Sequence, residues 1–155
     1  MEFIKTNTQF ISIEMEIMNS HPDYLLLSDG KNQLSYEDLL EEHLEEEELD
    51  KERYLIKEED NYVGIIDYIM ENPNDKKPWL GLLIIRKEFT NMSLAKKAYG
   101  IYEMTMKNRG IQEVYLGCYK DNHNGLKFWK KNGFSILKEI NYNEKPFYVL
   151  EKKIS

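Results

Sequence analysis

Cysteine is almost absent from this chain: Cys118 is the only one among 155 residues. No disulfide can form within it, and a four-cysteine zinc site is excluded. No run of about 18 apolar residues occurs, so no segment reads as a membrane span. The stretch from Met1 to Thr8 lacks the basic residues and long apolar run of a secretion signal. Positive charge is in the minority, 21 Lys and Arg against 28 Asp and Glu, and the net charge of −7 argues against general nucleic-acid binding. The three histidines, His21, His43 and His123, are too dispersed to suggest a metal site. What remains is the expectation of a cytoplasmic protein with no metal, nucleic-acid or membrane partner. Its length suits a single domain over residues 1–155, and an apolar content of 41% suits a packed core.

The charge that is present is unevenly spread. Between Glu37 and Glu52 ten acids stand against Lys51, whereas between Arg86 and Lys131 ten bases stand against four acids. The C-terminal half is locally basic inside an acidic protein, which would suit a phosphate-bearing ligand. Two solvated helix faces would give the same pattern.

Periodicity and punctuation place the elements. Glu2–Thr6 reads as a short strand. Thr8–Asn19 reads as a helix with Phe10, Ile13, Ile17 and Met18 on its apolar side. Pro22 suits a first helical turn, and Asp29 with Gly30 signals a turn. Ser35 can cap a helix that runs to about Leu49, with Tyr36, Leu39, Leu40, His43 and Leu44 facing the core. Arg53–Lys57 and Tyr62–Met70 form a strand pair. Trp79–Arg86, densely apolar, is expected at the sheet's centre, buried on both faces. A helix over Ser93–Asn108 ends at Gly110, Val114–Tyr119 is a strand, and His123–Asn132 is a short helix. Phe134–Asn141 and Pro146–Lys153 close the chain as a hairpin. The fold class is α/β, a mixed sheet flanked by helices.

Two junctions carry chemistry. From Leu82 to Ala95 a strand ends in a turn that opens a helix, and unpaired N–H groups at a helix N-terminus form an anion site. From Asp121 to Phe134 the chain sets Asn122, then Gly125, then Phe128 and Trp129, then Gly133 and Phe134, around one short helix. That second spacing resembles the last helix of GNAT-type N-acetyltransferases, which lies beside the pantetheine arm of acetyl-CoA. The first junction is similar to the family's pyrophosphate turn, Gln/Arg-x-x-Gly-x-Gly/Ala, which falls here on Thr90, Ser93 and Ala95. Only Ala95 matches. Asn91 tolerates a left-handed conformation, and Ser93 is small enough for close phosphate approach. The resemblance is strongest over Arg86–Phe134.

The resemblance implies a GNAT-like fold and acetyl transfer from acetyl-CoA to a primary amine by direct attack in a ternary complex. The central strand and the Val114–Tyr119 strand would splay apart. Backbone groups of Leu83, Ile84 and Ile85 would pair with pantetheine, and the amides of Asn91, Met92, Ser93, Leu94, Ala95 and Lys96 would hold pyrophosphate. Asn122 would touch the cofactor arm as well as cap its helix. Trp129 stands where many relatives have a tyrosine that protonates the departing thiolate; an indole N–H is no useful acid, so only a contact role carries over. Trp79 and Gly117 occupy the positions where relatives carry a basic carboxylate. Asp67, inside an apolar strand, is the replacement base, with Tyr119 a further catalytic candidate. Cys118, within a strand, reads as a buried side chain.

The acceptor itself is not legible: the acidic helix motivates a cationic small molecule or a protein amine, a solubilising helix face would give the same run of acids, and the last strands could form a homodimer edge. The alternative is a non-catalytic acyl-CoA-binding sensor, suggested by Trp129 and the degenerate phosphate turn.

Overall fold

A computed structural model describes residues 1–155. The elements are β1 (Glu2–Lys5), α1 (Ile11–Asn19), α2 (Pro22–Asp29), α3 (Tyr36–Leu49), β2 (Glu52–Glu58), β3 (Asn61–Ile69), β4 (Trp79–Ile85), α4 (Leu94–Asn108), β5 (Glu113–Tyr119), α5 (His123–Lys131), β6 (Ser135–Tyr142) and β7 (Lys145–Lys153). The seven strands form one sheet in the order β1-β2-β3-β4-β5-β7-β6. Only β4 and β5 run parallel; the other neighbours are antiparallel. This is the mixed α/β architecture the sequence led us to expect. No helix is long and apolar enough to cross a membrane.

Local chemistry explains most boundaries. Ser35 and Asp38 form a reciprocal capping box at the start of α3, the side chain of each accepting the backbone N–H of the other. Pro22 opens α2, and Gly30, at φ 74°, ends it. This adds a third helix before β2, where the sequence suggested two long ones. Asn143 and Glu144 both take positive φ in the two-residue turn joining β6 to β7.

Two apolar clusters sandwich the sheet. One lies under α4 and α5 and includes Tyr102, Met106, Val114 and Leu116. The other lies under α1, α2 and α3 and includes Ile11, Ile17, Leu25, Leu39, Leu55 and Ile65. No residue of β5, β6 or β7 joins the second cluster, so the helices cover only half of that face. β6 is the outer edge and is exposed along its whole length.

The faces of two helices differ from expectation. α1 buries Ile11, Glu14, Ile17 and Met18 rather than a stripe through Phe10 and Ile13. α3 buries Leu39, His43 and Glu46, while Tyr36 and Leu44 are exposed. Both rotations turn acids inward, toward an arginine on β2.

β4 is central but not buried on both faces. Asp67 pairs with Leu82 and Tyr68 with Leu80, so Gly81 is an extra residue on β4, a β-bulge. β4 then pairs with β5 only at Trp79 and Leu80. Beyond the bulge the two strands part, leaving Gly81 exposed and Leu82 and Leu83 half-buried.

Candidate active site

The cleft between β4 and β5 follows from that bulge. From Gly81 to Ile85, the edge of β4 that faces β5 has no strand beside it, and its other edge is fully occupied by β3. Leu83, Ile84 and Ile85 turn their side chains into the two apolar clusters, leaving only their backbone to face the cleft. At the end of β4, His21 Nε2 lies 2.6 Å from the carbonyl oxygen of Ile85. A carbonyl only accepts, so Nε2 carries the hydrogen. This bond ties the α1–α2 junction to the rim of the cleft.

The turn into α4 lies past the same end of β4. The backbone N–H groups of Asn91, Met92, Ser93, Leu94, Ala95 and Lys96 donate to no acceptor in the chain. Six consecutive free donors at the positive end of a 15-residue helix form an anion-binding cradle. Ser93, at φ 59°, takes the left-handed conformation, rather than Asn91. Leu94 is buried, so it offers only its backbone. Lys96 is exposed, whereas Lys97 is held by Glu58 at 3.0 Å.

Asn122 caps α5: its Oδ1 accepts the N–H of Gly125 at 3.0 Å, and a β-carbon on Gly125 would press on the Asn122 amide. Its Nδ2 donates to nothing within the chain. Trp129 packs edge-on against Tyr99 and Phe134, with ring centroids 5.8 and 5.5 Å away, on the cluster beneath α4. Phe128 touches Trp129 and is half-buried, not a core residue. Cys118 is buried and its thiol is pushed up to about 11 by that burial, which removes it from consideration as a nucleophile at neutral pH.

On the other face, Phe147 fills the space a side chain at Gly117 would need. Tyr119 packs against Phe147 and Tyr142 and accepts a hydrogen bond from Asn143 Nδ2 at 3.4 Å. Burial raises its phenol. Tyr24, from α2, is raised as well, by burial first and then by Asp29, Tyr119, Asp67 and Cys118.

Asp67 does not stand alone. It belongs to a buried network centred on Arg53, which is 3% exposed. Arg53 Nε donates to Glu14 at 2.6 Å, and Nη1 meets Glu46 at 3.0 Å, Asp67 at 3.3 Å and Glu42 at 3.4 Å. His43 Nε2 meets Glu14 at 2.6 Å. Burial works against the charge on Arg53, but Asp67, Glu14, Glu46 and Glu42 more than offset it. Burial likewise opposes ionisation of Glu14, and His43 and Arg53 overcome it. The hydrogen bond to Glu14 raises His43. Burial raises Asp67 and Glu46, and it pushes Glu42 up to about 7, with Asp29, Asp67 and Glu46 adding to the shift against Arg53. Asp67 is 4% exposed, and its Oδ1, without a partner, lies against Gly81.

Of the residues named from sequence, the structure brings Leu83 to Ile85 and Asn91 to Lys96 along one path and sets Asn122 and Trp129 on the helix after β5. It places Asp67 and Tyr119 on the opposite face. Glu14, Tyr24, Glu42 and Arg53 were not singled out from sequence. Glu14 left a signal, an acid three residues after Ile11 and three before Ile17.

A model of the acetyltransferase (GNAT) family matches residues 15–134. No curated protein matches the sequence. Among solved structures, an acetyltransferase from Thermus thermophilus superposes with a TM-score of 0.82 at 18% identity, covering 98% of this chain and 96% of that one. The PaiA N-acetyltransferase from Thermoplasma acidophilum, in complex with coenzyme A, gives 0.69 at 20% identity, covering 98% of each. A chimera of the spermidine N-acetyltransferase SpeG from Vibrio cholerae gives 0.76 at 12% identity, covering 99% of this chain and 95% of that one. At these identities the likeness is one of fold.

Proposed function

The chain belongs to the acetyltransferase (GNAT) family, and from that premise we propose that it transfers the acetyl group of acetyl-CoA to a primary amine, by direct attack in a ternary complex. One observation carries the reading: β4 parts from β5 at the Gly81 bulge, and the open track leads to the six unpartnered N–H groups before and within the first turn of α4. A strand-like arm can pair with the free edge of β4, and a diphosphate can take the free donors. Asn122 Nδ2 is a further donor toward that arm.

The chemistry asks little else of the protein. A neutral amine adds to the thioester carbonyl, a C–N bond forms, and the C–S bond breaks. A backbone N–H on the free edge of β4 stabilises the oxygen that gains charge. Holding both substrates in one cleft supplies most of the rate.

Asp67 is closed to solvent and its Oδ2 is held by Arg53, so we assign it to shaping the cleft floor; the ammonium proton leaves through water or an exposed neighbour. Trp129 excludes solvent from the thioester. Tyr119 is the phenol we assign to protonating the departing thiolate. A homodimer would form along the exposed β6 edge, where Ile136, Leu137, Ile140 and Tyr142 are unburied; a monomer mass in sedimentation would remove that part.

The test is thiol release from acetyl-CoA over a panel of primary amines, with the acetylated product identified by mass. Amine-dependent release supports the reading. Acetyl-CoA binding without release for any amine would replace it with an acyl-CoA-binding sensor.

A further inference from the structure

α2 is anchored at one end and latched at the other. Residues 20–33 leave the body of the fold between Asn19 and Leu34, which tie the base of the excursion together: the Leu34 N–H donates to Asn19 Oδ1 at 2.7 Å, and Asn19 Nδ2 donates to the Leu34 carbonyl at 3.1 Å. The first limb is bound to the end of β4. There His21 Nε2 donates to the Ile85 carbonyl, and Ser20 Oγ accepts the N–H of Lys87 at 3.1 Å. Leu25, fully buried, seats the helix on the cluster that includes Ile84 of β4. Beyond Leu25 one side chain from outside the excursion holds the helix by hydrogen bonds. Lys145 Nζ donates to the carbonyls of Leu26 and Leu27, at 3.3 and 2.7 Å. These belong to the last turn, whose carbonyls lack helical partners and whose dipole favours a cation.

The two attachments lie on opposite sides of the cleft. In the sheet, β5 stands between β4 and β7. Phe147, two residues after Lys145 on β7, pairs with Tyr119 at the end of β5. Side chains alternate along a strand and paired residues share a face, so Lys145, Phe147 and Tyr119 point to the same side of the sheet. The Lys145 ammonium meets the last turn of α2, so that turn lies over this face. α2 therefore runs from the end of β4, across the end of β5, to the start of β7. Its 8 residues measure about 12 Å, enough to cover two strand spacings of roughly 10 Å together.

We propose that α2 is a lid over this face of the cleft, latched shut by Lys145, and that the amine acceptor enters when the latch opens. The proposal rests on the acetyltransferase reading for what enters; the latch itself does not depend on it. Asn122 and Trp129, assigned to the cofactor arm, lie on the α4 and α5 side, which leaves the α2 side for the acceptor. The hinge is the end of the helix. Gly30, at φ 74°, and the exposed residues from there to Gln33 carry the chain back to Leu34 and can absorb the movement. Opening breaks the two bonds of one flexible side chain and leaves the base, the first limb and Leu25 in place. Closure keeps water from the reacting thioester.

The experiment is hydrogen–deuterium exchange of wild type, Lys145→Met and Lys145→Arg, together with nitration by tetranitromethane read residue by residue in the same proteins. Loss of one charge-assisted contact should raise lid opening about 10- to 100-fold. We expect the last turn of α2 to exchange faster by that factor in Lys145→Met, with α1 and α3 unchanged. Tyr119, 6% exposed, should be nitrated faster by a similar factor, while Tyr36, 45% exposed and far along the chain from the latch, keeps its rate. Lys145→Arg, which retains the charge, should stay near wild type. Unchanged exchange in α2, faster exchange spread equally through α1 and α3, or a Tyr119 rate that does not rise would overturn the proposal. Neither readout needs turnover, so a protein that releases no thiol with any amine would lose the acetyltransferase reading and keep its lid.

Discussion

Gly81 has no room for a β-carbon, because Oδ1 of Asp67 fills that space. The bulge that opens the cleft and the carboxylate beneath it are therefore one device. Asp67 is held by Arg53, Gly81 rests on Asp67, and β4 bends away from β5 at that point.

Replacing Gly81 with alanine should force either the carboxylate or the strand to move. We expect a loss of about 1–3 kcal/mol, as for an overpacked core, together with weaker acetyl-CoA binding. Thermal unfolding and titration check the two effects. Unchanged values for both would mean that Asp67 does not brace the bulge.

Arg53 is the only guanidinium among four carboxylates. Arg53→Met leaves buried charges uncompensated and should cost about 3–5 kcal/mol. Urea unfolding reads this directly, and a loss below about 1 kcal/mol, the range of an exposed pair, would contradict the buried network.

The pH dependence of stability has a definite sign. Glu42 titrates near pH 7 when folded, against an ordinary value of 4.5. Between those values the folded state holds a proton that the unfolded state has released, so stability falls as pH rises through the window. His43 acts in the same direction: its raised value stabilises fully below its ordinary 6.5, and that contribution is lost as pH rises through the folded value. Unfolding curves for wild type and Glu42→Gln should coincide near pH 4.5, with the variant more stable above pH 7. A constant difference across the range would contradict the assignment.

Tyr119, on β5, is the phenol we assign to protonating the thiolate. Tyr119→Phe should lower kcat by about 100-fold, a typical contribution of one positioned proton donor, with the KM for acetyl-CoA little changed. A normal kcat would show that the thiolate leaves without help from this residue.

Cys118 should stay unalkylated by iodoacetamide at pH 8 in the folded protein and react once urea unfolds it, because its thiol is buried and titrates near 11. Isolation of an acetylated Cys118 after incubation with acetyl-CoA would contradict direct transfer.

The sheet, the strand–turn–helix before α4 and the cap at Asn122 were legible in the sequence because each is local. A run of apolar residues, a helix start and an Asn before a short helix act over a few residues. The Arg53 network was not legible, because it joins α1, α3, β2 and β3 across long sequence separations. The acids of α3 look alike in sequence. Only the helix's rotation in the fold separates Glu42 and Glu46 from the solvated Glu37, Glu41 and Glu45. The same rotation exposes Leu44, which periodicity assigns to the core. The bulge at Gly81 was hidden for a related reason: its cause, Asp67, lies on a neighbouring strand.

The most direct test is calorimetric titration of acetyl-CoA into wild type, Ser93→Gly and Ser93→Glu. Ser93 sits at φ 59° in the middle of the free donors, so glycine relieves its conformation and glutamate puts a carboxylate where the diphosphate would bind. The account predicts saturable binding to wild type and Ser93→Gly, and none to Ser93→Glu. Binding that persists unchanged in Ser93→Glu, or no binding to wild type, would contradict it.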